Sequence, residues 1–273
     1  MPSSEHEARA RDGARLAYTL HDRQAPSQHV VLIHSLAMDR SFWRPVAERL
    51  AANASVLTHD CRGHGGSDKP QGPVTVERHA DDIADLMDQL GWHNALVAGA
   101  SMGGCIALAC AIRHPDRVSA LGLVDTTAWY GPDAPQNWEQ RATAALASGL
   151  ASLTDFQVTR WFGDKFRADN PQLVKECVDT FVRNDVAAYA QTCRMLGACD
   201  LRGGLASIKV PTAIVVGDED YATPPTMAEA MHNAIAGSTL SVLAGARHLT
   251  PLERPQEIAA ELDRLLHRAH APR

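Results

Sequence analysis

The chain has 273 residues, 45% of them hydrophobic and 21% charged, with a formal net charge of −6. That is enough apolar chain to bury the core of one large α/β domain with an insertion, so wholesale disorder is excluded. The acidic balance argues against a nucleic-acid-binding face; Lys occurs only at Lys69, Lys165, Lys175 and Lys209.

In chain order, Met1-Pro2-Ser3-Ser4-Glu5-His6-Glu7 is polar and acidic where a secretory leader is basic and then apolar. No apolar run reaches the roughly 18 residues of a membrane span. The chain is therefore expected in the cytoplasm, with no membrane partner. His29-Val30-Val31-Leu32-Ile33-His34 predicts a strand buried on both faces. Ser41 is placed to cap a helix running to about Ala52. Val56 to Asp60 predicts a second strand, ending in the turn-rich Arg62-Gly63-His64-Gly65-Gly66-Ser67. Ile83, Leu86, Met87 and Leu90 fall on one face of a helix that Gly91 ends. Ala95 to Gly99 predicts a third strand, Ser101 to about His114 an Ala-rich helix stopped by Pro115, and Val118 to Val124 a fourth strand.

From about Ala128 to Ile208 strand signals vanish, and helical stretches carrying Leu146, Leu150, Leu153, Phe181, Val182 and Val186 replace them. The alternation then resumes. Thr212 to Val216 and Thr239 to Leu243 predict strands, Pro224 to about Ile235 a helix, and Ile258, Leu262, Leu265 and Leu266 stripe a closing helix. Strands alternating with helices give a mostly parallel central sheet flanked by helices, because parallel strands need crossovers. The expected organisation is a core from residues 1–127 and 209–273, with a helical cap at 128–208 over the carboxyl edge of the sheet. Open α/β folds bind ligands at that edge.

Gly99-Ala100-Ser101-Met102-Gly103 is a G-x-S-x-G between a buried strand and a helix, with no loop. So sharp a turn needs small neighbours and exposes the serine hydroxyl at a helix N-terminus, where developing negative charge is favoured. Ser101 is the expected nucleophile. A serine needs a base to take its proton. Of the 13 histidines, His248 lies between the last strand and the last helix, in a loop that returns to the same edge. His34, His64, His79, His93 and His114 have blander places in turns or on exposed helix faces.

The base needs a carboxylate to orient it. Asp220, Asp125 and Asp218 compete at strand ends. Asp220, three residues beyond Gly217, has the best reach, and Asp218 is too close to its strand end. Two amides should hold the oxyanion, that of Met102 and, from the loop after the first buried strand, that of Leu36. His34 and Ser35 are expected to shape that loop. No Walker-type loop or metal-ligand spacing is present, and the six cysteines (Cys61, Cys105, Cys110, Cys177, Cys193, Cys199) form no C-x-x-C pair. Hence no cofactor, no metal and reduced, idle thiols are expected.

These residues carry a resemblance. The elbow Gly99 to Gly104, Asp60 to Ser67, Gly217…Asp220 with Pro224-Pro225, and Ala246-Arg247-His248-Leu249 resemble the α/β-hydrolase fold, from about Val30 to Leu266. The order Ser…Asp…His is that of this fold. Ser35-Leu36 with Trp43, the stretch Asp68-Lys69-Pro70-Gln71-Gly72-Pro73, Asp125-Thr126-Thr127-Ala128 and Trp138-Glu139-Gln140-Arg141 look like the 3-oxoadipate enol-lactonases within it. Arg160-Trp161-Phe162…Phe166, Tyr189-Ala190 and Asp200-Leu201-Arg202 continue that likeness.

The resemblance implies a cofactor-free serine hydrolase of a small ester or lactone, most closely an enol-lactone with a carboxylate arm, in bacterial breakdown of aromatic compounds. It puts Trp138 and Arg141 near the substrate. A carboxylate under the cap would need a cation, for which Arg141 and Arg160 are the candidates. Trp138, Trp161, Phe162 and Phe166 divide between lining the pocket and packing the cap. The chain departs from the lactonase pattern at Thr250-Pro251-Leu252-Glu253 after the histidine and at His34-Ser35-Leu36-Ala37, both expected to touch the pocket or its rim. A general carboxylesterase or cofactor-free perhydrolase shares the same machinery. A ligand receptor with a vestigial triad is the reading from another class. Only a small-molecule partner is expected, with no nucleic acid, and no oligomeric state is assigned.

Overall fold

The computed structural model describes residues 3–21, 28–70 and 72–270. Met1, Pro2 and Gln71, which entered the sequence reading, lie outside the described residues. Among the described residues eight strands form one sheet: β1 (Ser3–Arg9), β2 (Arg15–His21), β3 (His29–Ile33), β4 (Ser55–His59), β5 (Ala95–Ala100), β6 (Val118–Val124), β7 (Thr212–Gly217) and β8 (Thr239–Leu243). Their order is β1-β2-β4-β3-β5-β6-β7-β8. From β4 to β8 neighbours are parallel; β1 and β2 are antiparallel to each other, as are β2 and β4.

Every residue of β4, β5 and β7 is buried, so both faces of the sheet's centre are covered. Helices α1 (Arg44–Leu50) and α11 (Pro255–His270) pack together, as do α2 (Val76–Gln89) and α3 (Met102–Arg113). Ile258, Leu262, Leu265 and Leu266 are buried along α11, each contributing about 2 kcal/mol by removal from water. Between β6 and β7 lie only helices among the described residues: α4 (Ala134–Ser148), α5 (Thr154–Trp161), α6 (Asp164–Asp169), α7 (Pro171–Arg183), α8 (Val186–Ala198) and short 3₁₀ turns. The final third adds α9 (Pro225–Ala234) and the single turn α10 (Thr250–Glu253). The predicted stripe is only partly buried, for Leu146 and Val182 are exposed whereas Leu150 and Phe181 are enclosed.

Two local expectations change. The first helix begins at Asp39, not Ser41: the Asp39 carboxylate accepts from the Ser41 amide at 2.9 Å and caps a 3₁₀ turn, Arg40–Trp43, ahead of α1. The antiparallel pair β1–β2 is an addition to the predicted sheet. Its turn is built at Asp12-Gly13, with Gly13 at φ 87° and the Ala10 amide donating to the Ala14 carbonyl at 2.9 Å.

Chain direction places the site. After β3 the chain adds β4 on one side of it and then β5 on the other, so the loops following β3 and β5 part at a topological switch point. Ser101 and the His34–Ala37 turn leave the sheet side by side there.

Beneath that turn lie four buried histidines, His34, His59, His64 and His79; His79 thus sits on the inner side of α2 and not on an exposed helix face as expected. Burial lowers all four, His34 to about 4, His64 and His79 to about 3, and His59 well below its usual 6.5. They are thus neutral when folded and protonate freely when unfolded. Well above pH 6.5 neither state binds the protons and stability is unaffected; as pH falls through 6.5 the unfolded state binds them first and stability is lost. Each histidine contributes up to about 1.4 kcal/mol of loss per pH unit. Urea unfolding is expected to show a loss on the order of 5 kcal/mol between pH 7 and pH 5. Equal stabilities at the two pH values would contradict neutral burial of this cluster.

Candidate active site

Ser101 is the single residue between β5 and α3, and it sits at φ 53°, ψ −117°. A non-glycine residue at positive φ is strained and must be held. Its amide donates to the Val124 carbonyl at 2.9 Å, and its own carbonyl accepts from Thr126 Oγ1 at 2.6 Å and from the Gly104 amide at 2.9 Å. The glycines are steric necessities. A Cβ on Gly99 would collide with the Gly103 carbonyl, and one on Gly103 with the Ile33 carbonyl of β3.

His248 lies in the loop between β8 and α10. The Leu249 amide donates to the Trp161 carbonyl at 3.1 Å, and the Arg247 guanidinium donates to the carbonyls of Thr159 and Phe162 at 2.7 and 3.1 Å. The loop is therefore tied to α5 and the residue that ends it. His248 Nε2 is 2.8 Å from Ser101 Oγ, and Nδ1 is 2.8 Å from Asp220 Oδ2. With the proton on Nδ1 donated to the carboxylate, Nε2 is left to accept from the serine hydroxyl.

Asp220 is buried and accepts from the amides of Ala222 and Thr223 at 2.7 and 2.9 Å and from Thr223 Oγ1 at 2.9 Å. Burial works to raise its pKa, but the charge and hydrogen bond of His248 and the two amides outweigh it and hold the group below its usual value. It stays an anion.

The other two carboxylates are engaged elsewhere. Asp125 Oδ2 accepts from the amide and hydroxyl of Thr250 at 2.9 and 2.7 Å, and Oδ1 from the Gly217 amide at 3.3 Å. Complete burial, reinforced by the charge of Asp220, pushes Asp125 well above the carboxylate range. Asp218 is exposed and accepts from the Gly245 amide at 2.7 Å. Neither is hydrogen-bonded to His248.

The turn after β3 is shaped from below. His34 Nδ1 donates to the Ser35 carbonyl at 2.7 Å, and its Nε2 accepts from the Cys61 amide at 2.9 Å. These two bonds fix a neutral tautomer, and Ala37 turns the chain at φ 59°. Leu36 lies beside Ser101 on the wall of a cavity, and Met102 opens α3. Among the described residues no protein acceptor takes the amide of either.

That cavity is lined by Ser101 and His248 below and by Trp138, Arg141, Arg160 and Trp161 above. Arg141 donates to Tyr189 Oη at 2.6 Å, with its guanidinium 5.0 Å from the Trp138 ring. Arg160 donates to the Tyr221 carbonyl at 2.6 Å and lies 5.0 Å from the Phe156 ring. Among the described residues neither arginine has a carboxylate within 4 Å. Burial and then the charge of Arg141 lower the pKa of Arg160, so two cations share one wall.

Phe162 and Phe166 stand apart from this cavity, their rings tilted against each other with centroids 5.2 Å apart. Thr250 does not touch the pocket as expected: it is buried and spends both its donors on Asp125. Of the turn His34–Ala37, only Ser35 and Leu36 reach the wall. Tyr130, Gln157, Ala222 and Thr223 also line the cavity and were not anticipated. Spacing could have found Gln157, which precedes Arg160 and Trp161 by three and four residues and so shares their helix face.

A mostly parallel sheet with a serine on a strained strand-to-helix turn and a histidine after the last strand defines one class of protein. The chain belongs to the α/β-hydrolase fold family, whose sequence pattern matches residues 28–255, and it is an enzyme of the carboxylic ester hydrolase class. It is 34% identical over 228 residues to 3-oxoadipate enol-lactonase 1 of Acinetobacter baylyi, covering 84% of each chain. The enol-lactonase of Burkholderia xenovorans LB400 superposes with a TM-score of 0.92 at 33% identity, over 96% of this chain and 100% of that one. A thermophilic esterase from Thermogutta terrifontis superposes at 0.90 with 26% identity, over 98% and 100%. No helix among the described residues is long and apolar enough to cross a membrane.

Proposed function

We propose that this enzyme hydrolyses a small lactone or ester that carries a carboxylate, most closely 3-oxoadipate enol-lactone or a related lactone. Ser101 is the nucleophile, His248 the general base and Asp220 the acid that orients it. The observation that carries the reading is the series Ser101 Oγ, His248, Asp220, each link 2.8 Å, opening on a cavity with two guanidiniums that lack a carboxylate.

In the first step Ser101 Oγ attacks the carbonyl carbon while His248 Nε2 takes its proton. The tetrahedral oxyanion is held by the amides of Leu36 and Met102, each donor lowering the barrier by a few kcal/mol. His248 then protonates the leaving oxygen as the ester bond breaks. In a lactone that oxygen stays tethered to the acyl group. Water deprotonated by His248 attacks the acyl-serine, and the acid departs with Ser101 regenerated. The residues do this without a cofactor in the reading we favour.

Residues 128–208 serve as the cap in this scheme, on a core of 1–127 and 209–273, since Trp138, Arg141, Arg160 and Trp161 all come from that segment. The two arginines supply the charge that a buried carboxylate requires, and the identity to enol-lactonases supports the lactone. Six buried free thiols support a reducing compartment, the cytoplasm.

Rates across lactones and esters of both charge classes test this. The carboxylate-bearing enol-lactone is expected to be the best substrate; faster turnover of neutral short-chain esters would favour a general esterase. Arg141→Ala is expected to raise KM for a carboxylate-bearing substrate about tenfold or more, with little change for 4-nitrophenyl acetate. Equal effects on both would count against an anion site.

A further inference from the structure

Gln157 is 3% exposed and lines the Ser101 cavity, yet among the described residues its side-chain amide has no hydrogen-bond partner; Nε2 is wholly enclosed and unpaired. A buried amide left so costs free energy, and native structures keep few of them. Gln157 sits on α5 one turn before Arg160 and Trp161, which line the same wall. A half-turn of its terminal torsion exchanges the N–H and C=O ends, so the amide can offer a donor to the cavity.

We propose that Gln157 is a specificity-determining residue: its amide hydrogen-bonds an oxygen on the substrate's polar tail, remote from the bond that is cleaved. The arginines answer the charge of that tail; Gln157 answers its oxygen, charged or not. The substrate class is thus a short acyl chain ending in a carboxylate or a carbonyl. The inference rests on the reading of Ser101 as nucleophile. Sites that hydrogen-bond a substrate group reject analogues lacking it far more strongly than apolar pockets do.

The test uses 4-nitrophenyl esters of three chains of similar length, ending in a carboxylate (hydrogen glutarate), a methyl ketone (5-oxohexanoate) or an ethyl group (hexanoate). Wild-type kcat/KM is expected to fall in that order. In Gln157→Met the ketone-to-ethyl ratio is expected to drop about tenfold, while the carboxylate-to-ketone ratio persists; Arg141→Ala should do the reverse. Removing an unpaired amide should leave the melting temperature of Gln157→Met, and of Gln157→Leu, at or above that of the wild type.

An unchanged ketone-to-ethyl ratio would overturn the proposal. So would a marked loss of melting temperature in both variants, because it would mean that the amide holds the fold. If wild type turned over all three esters no faster than Ser101→Ala, the reading of Ser101 would itself have failed, and this inference with it.

Discussion

Ser101→Ala is expected to lower kcat by about 10⁴ to 10⁶-fold, measured on the best lactone or ester, with the unfolding midpoint nearly unchanged. The size follows from chemistry: without Oγ no acyl-enzyme forms, and only the oxyanion amides and binding remain to assist water. The small structural effect follows from the hydrogen bonds around residue 101. Those that hold its strained backbone run through its own amide and carbonyl, to Val124, Thr126 and Gly104, and survive in alanine. A variant that kept near-normal turnover would remove Ser101 from the mechanism.

Asp220→Asn is expected to reduce kcat by about 10⁴-fold. Asparagine at this position can present an N–H to His248 Nδ1, which inverts the tautomer and points a proton, not a lone pair, at Ser101. Asp125→Asn is expected to behave differently. Its carboxyl holds Thr250 and Gly217 and sits well above the carboxylate range, so its loss should cost about 1–3 kcal/mol of stability with kcat changed less than about tenfold. Stopped assays and urea midpoints on both variants separate the two roles. Should Asp125→Asn prove far the more damaging to kcat, the acid has been assigned to the wrong strand end.

Where the physics is local, the residues announced themselves. Gly99 and Gly103 exist for a close approach within the elbow, and a buried strand running straight into a helix makes that approach readable. The stripe Ile258, Leu262, Leu265 and Leu266 needs only a helical period. Asp12-Gly13 was also a local signal, a turn dipeptide between two seven-residue strands. It was obscured because β1 is an exposed, polar edge strand with little alternation to read.

The cap of the first helix misled for a comparable reason. Asp39 and Ser41 both suit the position, and the choice depends on a 3₁₀ turn that no periodicity marks. What spacing could not supply was convergence. Tyr130, Gln157 and Thr223 come from three separate segments and become neighbours only once α5 is laid over the sheet edge. Thr250 reads as a pocket or rim residue because the chain departs there from the lactonase pattern; its side chain instead turns inward to Asp125.

Mapping the site of reaction with a fluorophosphonate probe, by digestion and mass spectrometry, tests the mechanism at its root. The account predicts one stoichiometric adduct on the peptide containing Ser101, formed rapidly in wild type, absent in Ser101→Ala and greatly slowed in His248→Ala. An unmodified Ser101, or an adduct on another serine that forms as fast without His248, would contradict it.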